Sequence, residues 1–351
     1  MRASLTVDLG AIVANWRALD AMTAPAVETA AVVKADAYGL GAARVAPALH
    51  AAGARSFFVA QTEEGAELRA ILGPDPDIYV FGGLMPGDAP AHRAERLIPC
   101  LNSVEQARDF AASLPIEAPC AVQVDTGMNR LGEEPGRLPH LREVLAGRPR
   151  PRLILSHLAC ADAPDHPQNA AQLSAFTAAR TALPADRYSL AATGGTLMEA
   201  RFHGDLTRPG IGLYGGAPYA DAKPVVTLAL PVIQTREVAA GETVGYGASW
   251  TATRPSRIAT VSAGYADGLI RAAGNGPVSL YHADGTACPL VGRISMDLIT
   301  VDVTDLTAPT KTLEVLNAHQ TVDTLAGAAG TIGYEILTSL GARYARTYST
   351  G

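Results

Sequence analysis

Short apolar runs alternate with longer amphipathic segments over roughly the first 220 residues of the chain. The apolar runs are typical of buried strands and include AAVVKA, SFFVA, DIYVFGG, LIPCL, PCAVQVD, RLILSHLA and RYSLAA. Segments between them, such as TEEGAELRAIL and NAAQLSAFTAARTAL, carry apolar residues at helical spacing. Strand-helix units that recur at roughly 25 to 35 residues predict a parallel β/α fold, and about seven or eight of them fit a (β/α)8 barrel.

The pattern changes after about residue 222. Runs such as VVTLALPVIQTREV, SRIATVSAGYA and ACPLVGRISMDLITVDV favour strands, and the helical patterns TVDTLAGAAG and YEILTSLGARY interrupt them. We therefore predict a barrel over residues 1–222 and a mostly β domain over residues 223–351. A doubly wound open sheet is the alternative for the first domain, although no G-x-G-x-x-G motif follows its first strand.

The composition is that of a globular protein, with 48% hydrophobic and 18% charged residues among 351. The net charge of -6 and the lack of a long basic run argue against nucleic acid and an anionic membrane surface as partners. No apolar stretch reaches the length of about 18 residues that spans a bilayer, and the N-terminus lacks a signal-peptide pattern. The four cysteines are far apart and match no metal-binding spacing, so we expect a cytoplasmic protein with reduced thiols.

Lys34 ends the apolar run AAVVK and is the first candidate for chemistry. Functional residues of a (β/α)8 barrel lie at the C-terminal ends of its strands. Tyr38, Gly39 and Gly41 follow at once, which suits a ligand held against the lysine. A partly desolvated lysine has a lowered pKa and can form a Schiff base. The alternative is a structural lysine that pairs with Asp36.

Glycines and polar residues mark further candidate sites in the first domain. TRPGIGLYGG places Arg208 beside glycines whose backbone N–H groups can approach a phosphate, and Thr193 in AATGGT can add a hydroxyl. Arg130 in QVDTGMNRLG can hold a carboxylate, although an ion pair with Glu133 or Glu134 is the default interpretation. His157 in LSHLACAD is more often a hydrogen-bonded core residue, and an ordinary turn explains each glycine motif equally well.

Taken together, these motifs resemble those of alanine racemase, a pyridoxal-phosphate enzyme with a (β/α)8 barrel and a C-terminal β domain. The matching motifs run in the family's order from LTVDLGAIVANW through VGYGASW, AGYADG and GRISMD to TIGYEILTSLGARYAR. The resemblance implies interconversion of L-alanine and D-alanine on pyridoxal 5'-phosphate, which supplies D-alanine for peptidoglycan. It also implies a homodimer in which the barrel of one subunit faces the β domain of the other.

The resemblance assigns a role to each matching residue. Lys34 would hold the cofactor and act as one base, and Tyr246 would act as the second base. The implied cofactor contacts are Tyr38, Thr193, Tyr334, Gly210 and Ile211 at the phosphate, Arg208 at the pyridine nitrogen, and His157 between Tyr246 and Arg208. The implied binders of the substrate carboxylate are Arg130 and the backbone of Met296, and the implied entry-channel residues are Asp162, Tyr265, Arg271 and Asp297.

A racemase needs these residue types because it removes the Cα proton from one face and returns a proton to the other. Tyrosine has a reference pKa of about 10, and a hydrogen bond from His157 would favour its basic form. Arg208 cannot accept a proton from the pyridine nitrogen, which should limit transamination.

Three other functions remain as alternatives: a racemase of broader specificity that also takes serine, a pyridoxal-phosphate amino-acid decarboxylase, and a non-catalytic pyridoxal-phosphate binding protein. Such decarboxylases place a carboxylate at the pyridine nitrogen, so Arg208 and Tyr246 favour racemisation. The binding proteins resemble the barrel alone, whereas this chain carries a C-terminal β domain.

Gln123 departs from the family pattern, because many alanine racemases carry there a lysine that is carbamylated by carbon dioxide. Glutamine cannot be carbamylated, although its carbonyl can still accept a hydrogen bond from Arg130. We expect racemisation to be independent of bicarbonate. Assays at fixed pH, with and without added bicarbonate, check this, and stimulation by bicarbonate would contradict it.

Overall fold

The computed structural model describes residues 2–274 and 276–350, which form two compact units. One unit comprises Val13–Leu213 and Pro218–Asp221. The other comprises the residues up to Ile12, Tyr214–Ala217, and the residues from Ala222 onwards. The second unit therefore includes the N-terminal segment, which the division at residue 222 assigned to the barrel.

Parallel strands form the centre of the first unit. In chain order, its sheet consists of Ala31–Val32, Ser56–Val59, Asp77–Val80, Ile98–Leu101, Ala121–Gln123, Leu153–Leu155 and Arg187–Ser189. Neighbours in this order pair in parallel, and the side chains of the second to sixth strands are nearly all buried. Strands covered on both faces read as continuous apolar runs, which is why the sequence revealed them.

A further strand closes this sheet into a ring. Leu206–Thr207 pairs in parallel with Glu28–Thr29, directly before the first strand of the sheet. Backbone hydrogen bonds continue this pairing from Val32 N to Pro209 O (3.1 Å) and join Arg208 N to Ala191 O (2.8 Å) on the other side. Residues 13–213 thus hold the predicted (β/α)8 barrel, and the open doubly wound alternative is wrong.

Helices follow the strands along the barrel chain. They are Leu9–Asp20, Ala42–Ala52, Thr62–Leu72, Ala89–Ala94, Val104–Ser113, Leu138–Val144, Pro167–Ala182 and Thr193–Thr196, with 3-10 turns Pro135–Arg137, Ala200–Phe202 and Ile211–Tyr214. Local sequence sets their starts: the Ser103 hydroxyl, for example, accepts from Gln106 N (3.1 Å) as an N-cap. Apolar helix residues such as Phe110 and Phe176 pack in one buried cluster with strand residues such as Val122.

The chain from Lys34 to Tyr38 makes a left-handed helical turn at the end of the first sheet strand. Ala35, Asp36, Ala37 and Tyr38 have φ of 52°, 53°, 54° and 57°. A left-handed conformation costs about 1–2 kcal/mol for each residue that carries a side chain. Hydrogen bonds from Ala37 N to Val33 O (2.8 Å) and from Gly39 N to Ala35 O (2.7 Å) hold the turn. Backbone strain of this kind concentrates at functional sites.

The second unit is mostly β, as predicted, and its strands pair mainly in antiparallel fashion. Its strands are Ser4–Asp8, Val226–Val238, Thr243–Val244, Trp250–Thr251, Ser256–Val261, Ser279–Tyr281, Ala287–Val291, Ile299–Asp302, Thr312–Leu316 and Ala345–Ser349. Its helices are Val322–Ala329 and Gly333–Ser339, with 3-10 turns Tyr246–Ala248, Tyr265–Asp267 and Arg271–Ala273. The long strand Val226–Val238 pairs with Ser4–Asp8, Ser256–Val261 and Thr312–Leu316, and Ser4–Asp8 also pairs with Ala345–Ser349. Segments near both ends of the chain therefore lie in one sheet.

Two further features concern membranes and cysteines. None of the helices within residues 2–274 and 276–350 is long and apolar enough to cross a membrane. All four cysteines are free thiols, and Cys100, Cys120 and Cys288 are buried.

The left-handed turn predicts an unusual response to glycine. We expect Ala35→Gly to raise the free energy of unfolding by about 0.5–1 kcal/mol, because glycine adopts positive φ without the steric cost. Ala178→Gly, at an exposed position within the helix Pro167–Ala182, is the matched control and should lower it by a similar amount. Urea denaturation of the two variants measures both effects, and equal destabilisation would contradict the strain argument.

Candidate active site

The candidate residues of the barrel unit follow the C-terminal ends of its strands. Lys34 comes after Ala31–Val32, and His157 comes after Leu153–Leu155. Arg208 directly follows Leu206–Thr207. Since the C-terminal ends of parallel barrel strands share one face, the fold gathers these residues at one mouth of the barrel. This is the face on which barrel enzymes carry their active sites.

Lys34 is half-buried, and its Nζ lies 5.8 Å from the centroid of the Phe81 ring. Burial lowers the pKa of Lys34, the positive charge of Arg130 lowers it further, and the carboxylate of Glu64 opposes the shift. A lysine in these surroundings gives up its proton more readily than an exposed one. Its amine is therefore suited to attack a carbonyl group or to act as a base.

Arg208 is a buried guanidinium without an anionic partner. Its side chain is only 2% exposed, and it donates from Nη1 to the Ser189 hydroxyl and from Nη2 to the backbone oxygen of Ser156. Burial lowers the pKa of Arg208 to about 10, so it stays charged at neutral pH. No carboxylate within residues 2–274 and 276–350 forms an ion pair with it. The barrel therefore holds a fixed positive charge that only a ligand can compensate.

His157 is held neutral by its surroundings. Burial, followed by the positive charges of Arg208, Arg130 and Lys34, lowers the pKa of His157 to about 3. A neutral imidazole has one N–H donor and one acceptor nitrogen, so it can relay a hydrogen bond. The same influences show that the four side chains lie close enough to interact electrostatically.

Hydroxyl and amide groups cluster where the sequence suggested a phosphate site. The Thr193 hydroxyl oxygen accepts from Gly210 N (3.0 Å) and from Gly212 N (3.2 Å). The Tyr38 hydroxyl packs so closely on Gly210 that a side chain at this position would collide with it. In the described part of the chain, the N–H of buried Ile211 has no hydrogen-bond partner. The arrangement offers two hydroxyls and a backbone donor to an anion.

Arg130 lies on a loop whose backbone is held by the carboxylate of Asp125. Asp125 accepts from the backbone N–H of Gly127 (2.8 Å), Met128 (2.9 Å) and Arg130 (3.0 Å). The Arg130 guanidinium itself is exposed, and among the described residues it forms no ion pair. The default interpretation, an ion pair with Glu133 or Glu134, is therefore wrong, and the guanidinium is available to a ligand.

Gln123 does not contact Arg130. Its side-chain amide donates to the backbone oxygen of Leu131 (3.1 Å), and no hydrogen bond joins it to the guanidinium within the described residues. The expected hydrogen bond from Arg130 to the Gln123 carbonyl is absent from this structure. Gln123 supports the loop through its backbone contact.

The second unit carries the remaining candidates. Tyr246, on the 3-10 turn Tyr246–Ala248, is 71% exposed, and Met296 is 54% exposed. The Tyr265 and Met296 loops are joined by hydrogen bonds from Tyr265 N to Ser295 O (3.0 Å) and from Ala266 N to Met296 O (2.9 Å). The structure therefore brings Tyr265 and Met296 together and places Tyr246 on a separate turn.

Four further candidates lie elsewhere in the two units. Asp297 forms an ion pair with Arg343 (2.8 Å), which also binds Asp267 and so ties the two loops further. Arg271 begins the 3-10 turn Arg271–Ala273, and Tyr334 lies half-exposed near the start of the helix Gly333–Ser339. Asp162, in the barrel unit, is exposed in the loop after Leu153–Leu155.

Several groups that contact the candidate residues could not be identified from the sequence. Phe81 lies beside Lys34, and Ser189 binds Arg208. Glu64 binds the backbone of the residue after Lys34, with Ala35 N donating to its Oε1 (2.6 Å). The segment QTEE does show a helix N-terminus with an acidic capping residue. It does not show that this carboxylate also reaches another strand.

The donor set fits pyridoxal phosphate, the cofactor that the sequence resemblance implies. Lys34, Arg130 and Arg208 give the mouth an excess of positive charge, which suits the phosphate of this cofactor together with the carboxylate of a second ligand. The unpartnered Ile211 N–H and the nearby hydroxyls lie together as a phosphate requires. Fold and site together define the class of protein, a (β/α)8-barrel protein whose strand ends carry a donor set that fits pyridoxal phosphate.

Comparison with protein families identifies the family. Residues 7–218 match the N-terminal domain of alanine racemase, and residues 225–348 match the C-terminal domain of alanine racemase. The chain belongs to the alanine racemase family, and pyridoxal phosphate is the cofactor of this family.

Individual relatives agree over almost their full length. An alanine racemase of Jannaschia sp. (strain CCS1) is 59% identical over 343 residues, which are 98% of each chain. The crystal structure of alanine racemase from Bartonella henselae with covalently bound pyridoxal phosphate is 40% identical, with a TM-score of 0.91 over 99% of each chain. The crystal structure of biosynthetic alanine racemase from Pseudomonas aeruginosa is 39% identical, with the same TM-score and coverage.

The neutral state of His157 predicts its titration. Its folded pKa of about 3 lies below the unfolded value of about 6.5, so the stability that this difference contributes is complete above pH 6.5 and is lost as the pH falls towards 3. In histidine NMR spectra of the native protein, we expect the His157 signals not to move between pH 5 and 8. The same residue in urea should titrate near pH 6.5, and a native midpoint between pH 6 and 7 would contradict the assignment.

Proposed function

We propose that this protein is an isomerase that interconverts L-alanine and D-alanine on pyridoxal 5'-phosphate bound covalently to Lys34. Lys34 carries the proposal: it is a half-buried lysine of lowered pKa at a strand end, beside two further cations. Membership of the alanine racemase family supports the same reaction. Bound at Lys34, pyridoxal phosphate withdraws electrons from the substrate and so acidifies its Cα–H.

The residues around Lys34 would hold the cofactor. We assign the phosphate to the hydroxyls of Tyr38, Thr193 and Tyr334 and to the backbone at Gly210 and Ile211. Arg208 faces the pyridine nitrogen in this proposal, and Ser189 and Ser156 hold its guanidinium in place. Arg208 donates hydrogen bonds and cannot take up a proton, so it leaves that nitrogen unprotonated.

Two bases on opposite faces of the substrate explain racemisation. Lys34 exchanges the Cα proton of D-alanine, and Tyr246 exchanges that of L-alanine. The neutral His157 ring can donate its N–H to the Tyr246 oxygen and stabilise the phenolate that a base requires. Burial, and in addition the charges of Arg208, Arg130 and Lys34, keep the pKa of His157 low, which preserves one acceptor nitrogen on the ring.

Substrate binding and access use the remaining residues. Arg130 holds the substrate carboxylate together with the Met296 backbone, and its unpaired guanidinium is ready for this contact. The loops with Tyr265 and Asp297, together with Asp162 and Arg271, line the entry channel.

We assign cofactor binding to residues 1–222 and the second base to residues 223–351, with the site completed in a homodimer. The exposure of Tyr246, Tyr265 and Met296 in the single chain supports this assembly, since large hydrophobic and aromatic groups are normally covered. The biosynthetic relative from Pseudomonas aeruginosa supports a role in supplying D-alanine for peptidoglycan. Four free thiols fit the cytoplasm.

Replacing the second base tests the two-base assignment. In heavy water, we expect Tyr246→Phe to slow deuterium exchange at Cα of L-alanine by about 100-fold or more, because a positioned base contributes about that much. Exchange at Cα of D-alanine should fall far less, since Lys34 remains. Proton NMR of each isomer measures both rates.

The matched control is Tyr281→Phe, which removes a hydroxyl from a half-buried tyrosine that stacks on His319 in the same unit. It should leave both exchange rates unchanged. L-alanine exchange that survives in Tyr246→Phe would refute the role of Tyr246, and absence of exchange in the unaltered protein would refute the reaction itself.

A further inference from the structure

Glu64 joins the ends of two neighbouring barrel strands. Its Oε1 accepts from Ala35 N (2.6 Å), directly after Lys34. Its Oε2 accepts from Ala60 N (2.7 Å) and Gln61 N (3.2 Å), directly after the strand Ser56–Val59. One carboxylate therefore binds three backbone donors from two separate chain segments, and such charge-assisted hydrogen bonds are stronger than neutral ones.

The bond to Ala35 lies at a strained point of the backbone. Ala35 is the first of four consecutive residues in the left-handed conformation, and these residues separate Lys34 from Gly39. Strained conformations persist only where surrounding contacts fix them. The carboxylate fixes the peptide between Lys34 and Ala35, and so fixes the direction in which the Lys34 side chain leaves the strand.

Glu64 also differs in charge from the groups that surround Lys34. Arg130 and His157 lie after other strands of the barrel and interact electrostatically with the lysine, and Arg130 adds positive charge to its surroundings. Asp36, on the same turn as Lys34, uses its Oδ1 to accept from Ala42 N (2.7 Å). Glu64 is the carboxylate whose charge acts to raise the pKa of Lys34 against burial and Arg130.

We propose that Glu64 is a positioning residue for Lys34: it holds the peptide after the lysine and supplies a negative charge that acts on its ammonium group. The inference rests on the proposed function only in taking Lys34 as the cofactor lysine and base. It explains why a helix-capping glutamate reaches across to a neighbouring strand.

The test compares three variants of the full chain. Glu64→Gln keeps the length of the side chain and removes its charge, and Glu64→Asp keeps the charge and shortens the reach. Glu63→Gln is the matched control, because Glu63 is the exposed neighbour on the same helix and forms no hydrogen bond or ion pair with the described residues.

The first readout is the reactivity of Lys34 in protein freed of cofactor. The chain has three lysines, Lys34, Lys223 and Lys311, so acetic anhydride labelling followed by mass spectrometry resolves Lys34 against two internal references. Loss of the Glu64 charge should move the labelling midpoint of Lys34 to lower pH by about half a unit or more, which is about a threefold faster reaction below the midpoint. Glu64→Asp should shift less, and Glu63→Gln should match the unaltered protein.

The second readout is deuterium exchange at Cα of D-alanine in the cofactor-loaded protein. Both Glu64 variants should slow it by about tenfold or more, because a displaced base loses its alignment with the substrate. A labelling profile of Glu64→Gln that superimposes on the unaltered protein overturns the proposal, and so does undiminished exchange in both variants.

Folding and function are separated by two controls. Thermal melts followed by circular dichroism should show that at least one Glu64 variant keeps the native transition, and loss of that transition in both would overturn the proposal in favour of a purely structural role. Failure of the proposed racemisation would appear in the unaltered protein as absence of exchange, while the labelling shift would remain.

Discussion

Desolvation of a lysine at the end of a parallel strand is the constraint on which the barrel site depends. A buried ammonium group is costly, and its cost falls when it gives up its proton or pairs with an anion. The barrel limits the second route, because Arg130 adds positive charge and Glu64 already binds three backbone donors. The result is an amine of lowered pKa, held on a turn of unusual conformation.

The whole mouth of the barrel, like the surroundings of Lys34, carries more positive than negative charge. Arg208 is buried and charged without an ion pair among the described residues. Burial lowers the pKa of His157, and the neighbouring cations lower it further, so the ring stays neutral. The phosphate of a bound cofactor and the carboxylate of a bound amino acid would supply the missing anions. Ligand binding therefore also neutralises excess positive charge in the barrel, and the unpaired charge destabilises the protein when no ligand is bound.

The sequence predicted the elements that local pattern determines. Buried parallel strands appear as continuous apolar runs, so the strand ends after which Lys34 and His157 lie could be found directly. The short strand Leu206–Thr207 before Arg208 has no such run, and Arg208 was found from the glycines that follow it. The change near residue 222, from alternating strand and helix patterns to mainly strand patterns, likewise revealed the β domain, because strands leave a local pattern of apolar residues. The roles of individual residues came from resemblance to a family, because one histidine or glycine is chemically ambiguous by itself.

Contacts between segments that are distant along the chain could not be predicted from the sequence. The pairing of Ser4–Asp8 with Val226–Val238 depends on a separation that no local period encodes. Tertiary structure also sets the directions of side chains. Three such features could not be predicted: the hydrogen bond of Glu64 with Ala35 N, the lack of an ion pair at Arg130 among the described residues, and the bond from Gln123 to Leu131. The left-handed turn contradicts the intrinsic preference of Ala35 and Ala37, so only surrounding contacts explain it.

In the proposed function, the charge of Arg208 also affects which reaction the site favours. A carboxylate at the pyridine nitrogen would have neutralised the buried charge of the barrel, and it would also have kept that nitrogen protonated. A guanidinium held by Ser189 and Ser156 neither neutralises positive charge nor keeps the nitrogen protonated. Both of its contacts are neutral acceptors. With Arg208 at that nitrogen, as proposed, bound pyridoxal phosphate would withdraw electrons less strongly, which would favour return of a proton to Cα over transamination. The buried arginine would thus favour racemisation in the proposed function.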